Sequence, residues 1–277
     1  MNAYYNGIFC NYEDVSVPLT DRCIFFGDGI YDACIGRNGK IFMLEEHLER
    51  FFGNANALEL YVDFDNAFLT SIFEELTGAF GNGCFFLYFQ LTRNGHKRAH
   101  APSIDAKSNL LVTISPLDFP TPERRLKLIF AEDNRYELCN IKTLNLLPSV
   151  LASAKAVRCG ADEAVFVRRN TVTECAHSNV HIVKSGKVIT HPKNKFILPG
   201  ISRAHLLSVC DRLSIEKEER CFTKEELLSA DEVIVTSTSK ICARASVVDN
   251  VHYPLHHKST AAIICHEMFS DFYSSTL

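Results

Sequence analysis

The chain has 277 residues, 47% hydrophobic and 22% charged, a balance that excludes intrinsic disorder and fits one large domain or two ordinary ones. A net charge of −4 with no lysine/arginine block leaves no basic face for nucleic acid. The densest apolar run, Cys84–Leu91, is too short to span a bilayer, and the start "MNAYYNGIFCNYEDV" lacks the basic segment and apolar core of a secretory leader; a cytoplasmic protein without membrane association is expected.

Asn6-Gly7 and Asn38-Gly39 each lie between short apolar runs and predict two β-hairpins with type I′ turns. From Leu44 the period changes to 3.6, placing Leu44, Leu48, Phe51, Phe52, Ala55 and Leu58 on one helical stripe. A second helix follows in "DNAFLTSIFEELTGAF", capped by Asp65 or Asn66. Strands are expected at Cys84–Thr92 and Asn109–Ser115. The proline cluster in "PLDFPTPERR" predicts a linker over residues 118–124, between an N-terminal domain (1–117) and a C-terminal domain (125–277).

Beyond the linker come a strand (Leu126–Ala131) and a helix from Pro148 to Arg158, stopped by Gly160. Strands are then expected at Glu163–Arg168, Thr171–Glu174, Asn179–Val183, Glu232–Thr236 and Ala245–Val251, and helices at Ser202–Leu213, Thr223–Leu228 and Thr260–Tyr273. The architecture is α+β (mixed α/β), in two domains, with no internal repeat. The eleven cysteines are odd in number, widely spaced and contain no C-x-x-C pair, which reads as reduced, mostly buried thiols rather than a disulfide framework or zinc knuckle. No histidine pair carries the carboxylate or thiolate companions of a metal site.

The run "CNIKTLNLLPSVLASAKA" holds one lysine, Lys142, in nearly uncharged surroundings. Either its stem packs while its ammonium reaches water, or the amine is kept for Schiff-base chemistry. Glu174 closes a short β-branched strand, where an inward carboxylate needs a partner such as a protonated heterocyclic nitrogen; the alternative is an exposed strand end. In "ILPGISRAHLL" a glycine precedes a helix whose first N–H groups, at Ile201 and Ser202, lack intrahelical partners and suit a phosphate. In "VIVTSTSK" a buried strand ends in hydroxyls, Ser237 and Thr238 among them, that suit the same group. Arg98 and His100, two apart on a loop, can grip a carboxylate or simply be solvated. Arg50 stands three residues after His47 on one helix face, as a phosphate ligand or as the helix's polar side.

A Schiff-base lysine, a partner for a ring nitrogen and a phosphate cradle together fit pyridoxal 5′-phosphate. The order of "DRCIFFGDGIYD", "HLERF", "IKTLNLLPSVLASAKA", "GADEAVFVRRNTVTECAHSNVHIV", "ILPGISR" and "VTSTS" resembles the fold-type IV pyridoxal-phosphate enzymes along nearly the whole chain. That class contains branched-chain aminotransferases, D-amino acid aminotransferases and aminodeoxychorismate lyases. "RNGHKRAH" is most similar to the D-amino acid aminotransferases. The resemblance implies ping-pong transamination of D-amino acids, with 2-oxoglutarate as acceptor. Lys142 would be the Schiff-base residue and Glu174 the ring-nitrogen partner; Leu198 would lie against the ring. Arg50, Ile201, Ser202, Ser237 and Thr238 would hold the phosphate, and Tyr31, Arg98 and His100 the substrate carboxylate. It also implies a homodimer in which Arg98 and His100 serve the neighbouring subunit. A branched-chain L-amino acid or amine transaminase, an aminodeoxychorismate lyase and a cofactor-free binding module remain alternatives. Three departures from the family pattern flank the pocket: Asp32 in place of a glutamate, Cys175-Ala176-His177 where small residues are usual, and a stretch after Thr238 one residue short.

Overall fold

The first two hairpins turn on Asn-Gly pairs with both residues at positive φ: 45° and 94° at Asn6 and Gly7, 52° and 82° at Asn38 and Gly39. This is the type I′ geometry that those residue types tolerate best. They belong to a computed structural model that describes residues 1–95, 97–119, 121–254 and 256–277. The chain divides into two units, one comprising Met1–Phe119, Ile141–Asn145 and Ser275–Leu277, the other Pro120–Asn140 and Leu146–Ser274.

The first unit contains strands β1 (Ala3–Tyr5), β2 (Ile8–Cys10), β3 (Gly29–Arg37), β4 (Lys40–Ile41), β5 (Cys84–Arg93) and β6 (Ser108–Pro116). They form an antiparallel sheet in the order β2-β1-β6-β5-β3-β4. Its helices are the short α1 (Cys23–Phe26), α2 (Leu44–Ala57) and α3 (Asn66–Phe80). Asp65 caps α3 by accepting from the Phe68 N–H at 2.9 Å, which satisfies one orphan donor of the first turn. The apolar stripes of α2 (Leu48, Phe51, Ala55) and α3 (Leu69, Ile72, Phe73, Leu76) join Phe85, Leu87, Phe89 and Leu91 of β5 in one core. Phe89 lies 4.9 Å from Phe51 and 5.0 Å from Phe73, ring centre to ring centre. Its truncation to alanine is expected to cost about 3–5 kcal/mol.

The second unit is built on β7 (Arg125–Glu132), β8 (Glu163–Arg168), β9 (Thr171–Cys175), β10 (Asn179–Lys184), β11 (Lys187–Thr190), β12 (Lys217–Glu219), β13 (Phe222–Thr223), β14 (Glu232–Ser237), β15 (Ile241–Val248) and β16 (Val251–His252). The order is β12-β11-β10-β14-β15-β7-β8-β9-β13, with β16 added on β15, and the sheet is mixed: β7 runs parallel to both β8 and β15. Four helices accompany it: α4 (Leu147–Arg158), α5 (Ile201–Arg212), α6 (Lys224–Leu228) and α7 (Thr260–Ser275). The crossover α4 packs Ala152 and Ala156 against Ala164 and Phe166 of β8, small residues that let helix and sheet approach closely. Among the described residues no helix is long and apolar enough to cross a membrane. Six of the eleven cysteines are buried and all are free thiols.

Three expectations change. The predicted strand Ala245–Val251 is instead β15, beginning at Ile241, and the separate β16, because Asp249 turns the chain at φ 49°. Short edge strands β12 and β13 carry no alternation long enough to read. The boundary between units falls inside the expected linker, yet Ile141–Asn145, and with it Lys142, belongs to the first unit rather than the C-terminal one. The cause is backbone pairing: the Tyr31 N–H donates to the Lys142 carbonyl at 3.0 Å and the Leu144 N–H to Gly29 at 3.1 Å.

Candidate active site

In the first unit, this pairing lays the Lys142 segment along β3. The lysine Nζ stands 4.1 Å from the centre of the Tyr31 ring, and Tyr31 in turn stacks on Tyr88 at 5.5 Å. Alternation on β3 then sends the next residue, Asp32, to the opposite face, where it is completely buried under α2. Arg50 grips it with two hydrogen bonds, Nε to Oδ2 and Nη2 to Oδ1, both 2.8 Å, and His47 Nδ1 lies 2.8 Å from Oδ1. Burial pushes the Asp32 carboxyl up, but the Arg50 charge and the His47 and Arg50 hydrogen bonds outweigh it and hold the group well below the usual carboxylate range. The i, i+3 spacing of His47 and Arg50 is therefore a clamp on one carboxylate. The aspartate, shorter than the family's glutamate, still reaches Arg50 bidentately.

Arg98 and His100 lie on the exposed loop between β5 and β6. The Arg98 guanidinium sits 5.2 Å from the Phe26 ring centre and the His100 ring 5.5 Å from it. Their loop is tied down by Arg22, which donates to the carbonyls of Ala99 (2.5 Å) and His100 (2.9 Å) while its Nε binds Asp28 at 2.7 Å. Among the described residues no hydrogen bond, ion pair or ring contact joins Arg98 or His100 to Tyr31 or Lys142.

The second unit gathers the other half of the predicted set. Glu174, at the end of β9, is 5% exposed. Its Oε2 accepts from the Asn179 side-chain amide and from the Leu198 N–H, both at 3.0 Å, and its Oε1 pairs with Arg135. Asn179 also donates to the Leu198 carbonyl at 3.0 Å, so Leu198 is fixed beside Glu174 through its backbone. The same asparagine approaches the start of α5 so closely that a Cβ on Gly200 would meet its Oδ1 at 2.1 Å. Glycine is therefore what lets the Ile201 and Ser202 N–H groups come next to Glu174's support. β10 and β14 pair Asn179 with Thr236, which places Ser237 and Thr238 at the same end of the sheet.

Arg135, Asp133 and Asn179 were not legible as site residues. Arg135 Nε and Nη2 both bind Asp133 at 3.0 Å, Nη2 also reaches the Phe196 carbonyl at 3.1 Å, and the guanidinium covers the Phe166 ring at 4.5 Å. The available signal was the Asp133-x-Arg135 pair directly after a buried strand, where two charges are expected to need each other. Even with Arg135 beside it, burial pushes the Glu174 carboxyl up to about 7.

These residues suit pyridoxal phosphate. The three donors on Glu174 use three of a carboxylate's roughly four acceptor positions and leave one for a ring N–H. The first amides of α5 and the hydroxyls at the end of β14 are groups of the kind that can donate to a phosphate. Among the described residues no cluster of three or more histidine, cysteine or acidic side chains could hold a metal ion. His181, for one, is buried between Thr190 Oγ1 (2.8 Å) and Thr236 Oγ1 (2.9 Å), and burial pushes it down to about 3.

The first unit carries a strand-backed lysine and the second a buried, amide-supported glutamate, and the fold is that of the pyridoxal-phosphate aminotransferases of fold type IV. The family model for amino-transferase class IV matches residues 29–248, and the chain belongs to that family, enzymes that transfer amino groups with pyridoxal 5′-phosphate. It is 35% identical over 241 residues to a D-alanine aminotransferase of Bacillus licheniformis, covering 86% of this chain and 85% of the relative. A D-alanine aminotransferase of Staphylococcus epidermidis is 38% identical over 240 residues, with the same coverage of 86% and 85%. The branched-chain amino acid aminotransferase of Escherichia coli has the same fold, with a TM-score of 0.90 over 100% of this chain and 95% of that one at 20% identity.

Proposed function

We propose that this transaminase acts on D-amino acids, moving the amino group of D-alanine to 2-oxoglutarate to give pyruvate and D-glutamate. The observation that carries the reading is the likeness to D-alanine aminotransferases over 86% of the chain, together with the Arg98-Ala99-His100 loop that Arg22 holds in place. Pyridoxal phosphate supplies an electron sink for the bond broken at the substrate Cα. Lys142 anchors it, and its released amine moves a proton at Cα. The Tyr31 ring under Nζ limits where that amine swings. Glu174, ionised against a ring cation, would keep the ring nitrogen protonated, and Leu198 would pack against the ring. Arg50, oriented by Asp32, holds the phosphate with Ile201, Ser202, Ser237 and Thr238. Tyr31, Arg98 and His100 hold the substrate carboxylate and decide which face of Cα meets Lys142.

We also infer a cytoplasmic homodimer. The eleven free thiols support the compartment. For the dimer, the support is α4, whose Leu147, Val150 and Leu151 are 57–67% exposed on one helical face, an apolar stripe that a monomer rarely leaves to water. The deciding experiment is a set of spectroscopic half-reactions with D-alanine, D-glutamate, L-leucine and L-alanine. Rapid conversion by the D-amino acids alone is expected; conversion by L-leucine in preference would overturn the assignment.

A further inference from the structure

Two departures from the family pattern, the bulky His177 after Glu174 and the shortened stretch after Thr238, meet in space. Ser237 and Ile241 are cross-strand partners in β14 and β15, so Thr238, Ser239 and Lys240 are a three-residue hairpin loop. A hairpin connection of this size commonly needs one residue in the left-handed region near its end, a place that favours glycine. Here it is Ile241, at φ 55° and 1% exposed. A β-branched residue adopts that conformation only where its surroundings impose it.

Lys240 provides the constraint. It is 6% exposed, its N–H donates to Ser237 Oγ at 3.3 Å, and its Nζ lies 3.2 Å from Glu163 Oε2, 3.4 Å from Ser178 Oγ and 3.3 Å from His177 Nδ1. Glu163, wholly buried at the start of β8, also accepts from the His177 N–H and from Ser178 Oγ, each at 2.9 Å. One ion pair thus ties the loop after Ser237 to the 175–178 turn, which the Cys175 N–H closes on the Ser178 carbonyl at 2.7 Å. That turn begins one residue after Glu174 and ends one before Asn179. A buried pair with this many hydrogen bonds fixes geometry more than it adds stability.

We propose that Lys240, clamped on Glu163, is a positioning residue for the cofactor phosphate: it holds the shortened loop so that the Ser237 and Thr238 groups face the phosphate. The half-exposed His177 takes up the lysine's remaining hydrogen-bonding direction. The inference rests on the reading of Ser237 and Thr238 as phosphate ligands.

The test compares binding of pyridoxal phosphate with that of pyridoxal, which lacks the phosphate, to enzyme stripped of cofactor after purification. Lys240→Met is expected to weaken the phosphorylated cofactor about tenfold, as for one lost hydrogen bond, and pyridoxal by less than about threefold. Lys240→Arg, which keeps the pair, should restore the preference. Equal weakening of both compounds, or of neither, overturns the proposal. If Lys240→Met does not fold, the double variant Glu163→Gln/Lys240→Met leaves no uncompensated buried charge and must show the same selective loss; a wild-type preference there overturns it equally. Ser237→Ala/Thr238→Val tests the underlying reading: unchanged affinity for pyridoxal phosphate removes the phosphate assignment itself, and the role of Lys240 with it.

Discussion

Replacing Glu174 with glutamine separates what the site needs from what the fold prefers. The side chain is buried, and burial lifts its carboxyl from 4.5 to about 7 in spite of Arg135. A folded-state value above the unfolded one means that the folded protein binds the extra proton between those two limits. The contribution of Glu174 to stability is therefore full below about pH 4.5 and lost as pH rises through about 7. The loss corresponds to about 3 kcal/mol, a large share of the 5–15 kcal/mol typical of a domain. Glutamine has the same shape and cannot ionise. In cofactor-stripped protein, the stability of Glu174→Gln relative to wild type should climb by about 3 kcal/mol between pH 4.5 and pH 8, whatever the offset from altered hydrogen bonds. Urea titrations of both proteins across that range measure it. With saturating pyridoxal phosphate that climb should disappear, because a ring cation against the carboxylate offsets the cost of its ionisation, and the variant's transamination rate should fall far more than its cofactor affinity. A difference independent of pH, or one that grows in the opposite direction, would refute the reasoning.

Lys142→Ala should abolish transamination together with the lysine-linked cofactor absorbance, and a variant retaining both would displace the lysine from its role. Arg98→Ala removes a charge-assisted contact worth about 1.5–3 kcal/mol, so kcat/KM for D-alanine should drop roughly 10- to 150-fold with cofactor binding unchanged; an unaltered kcat/KM means that the carboxylate is held elsewhere. Asp32→Asn leaves Arg50 and His47 without their buried anion and is expected to destabilise the protein by about 3–5 kcal/mol. Since that carboxyl is held low in the folded state, the gap between Asp32→Asn and wild type should be full above about pH 4 and close as pH falls further. His181, pushed down from 6.5 to about 3 chiefly by burial, has the acid-side signature of a group kept neutral: its contribution is present above pH 6.5 and lost as pH falls toward 3, up to about 5 kcal/mol. His181→Gln should flatten that part of a pH–stability profile.

The legible parts of the fold are those in which local chemistry and burial agree. The Asn-Gly turns, the Asp65 cap and the α2 stripe each have a local cause, and each is where the sequence places it. Edge strands β12 and β13, of three and two residues, have none, because their pairing is set by neighbours distant in sequence. Domain membership of Lys142 was misread for a related reason. Position along the chain puts it beyond the linker, whereas backbone hydrogen bonds to β3, more than a hundred residues earlier, draw it into the first unit.

The site shows the same division one level deeper. Residues expected to touch cofactor or substrate stand out in sequence because their types are chemically odd for their surroundings: a lysine in an apolar run, a glutamate ending a β-branched strand. Those that orient them do not. Asp32 looked like a shortened glutamate and is the bidentate seat of Arg50; Asn179 looked like the start of a strand and joins Glu174, Leu198 and the approach to α5. His177 and the shortened stretch after Thr238 looked like unrelated irregularities, yet His177 and Lys240 share one buried carboxylate. Each of these side chains is polar, all but the half-exposed His177 are withdrawn from water, and each is held by partners that are not its immediate neighbours in sequence, so cost and compensation are invisible until both are in place. Substitutions at such positions should therefore shift cofactor affinity, pH response and stability together, whereas substitutions at Lys142 or Arg98 should remove chemistry and leave the fold's stability nearly unchanged.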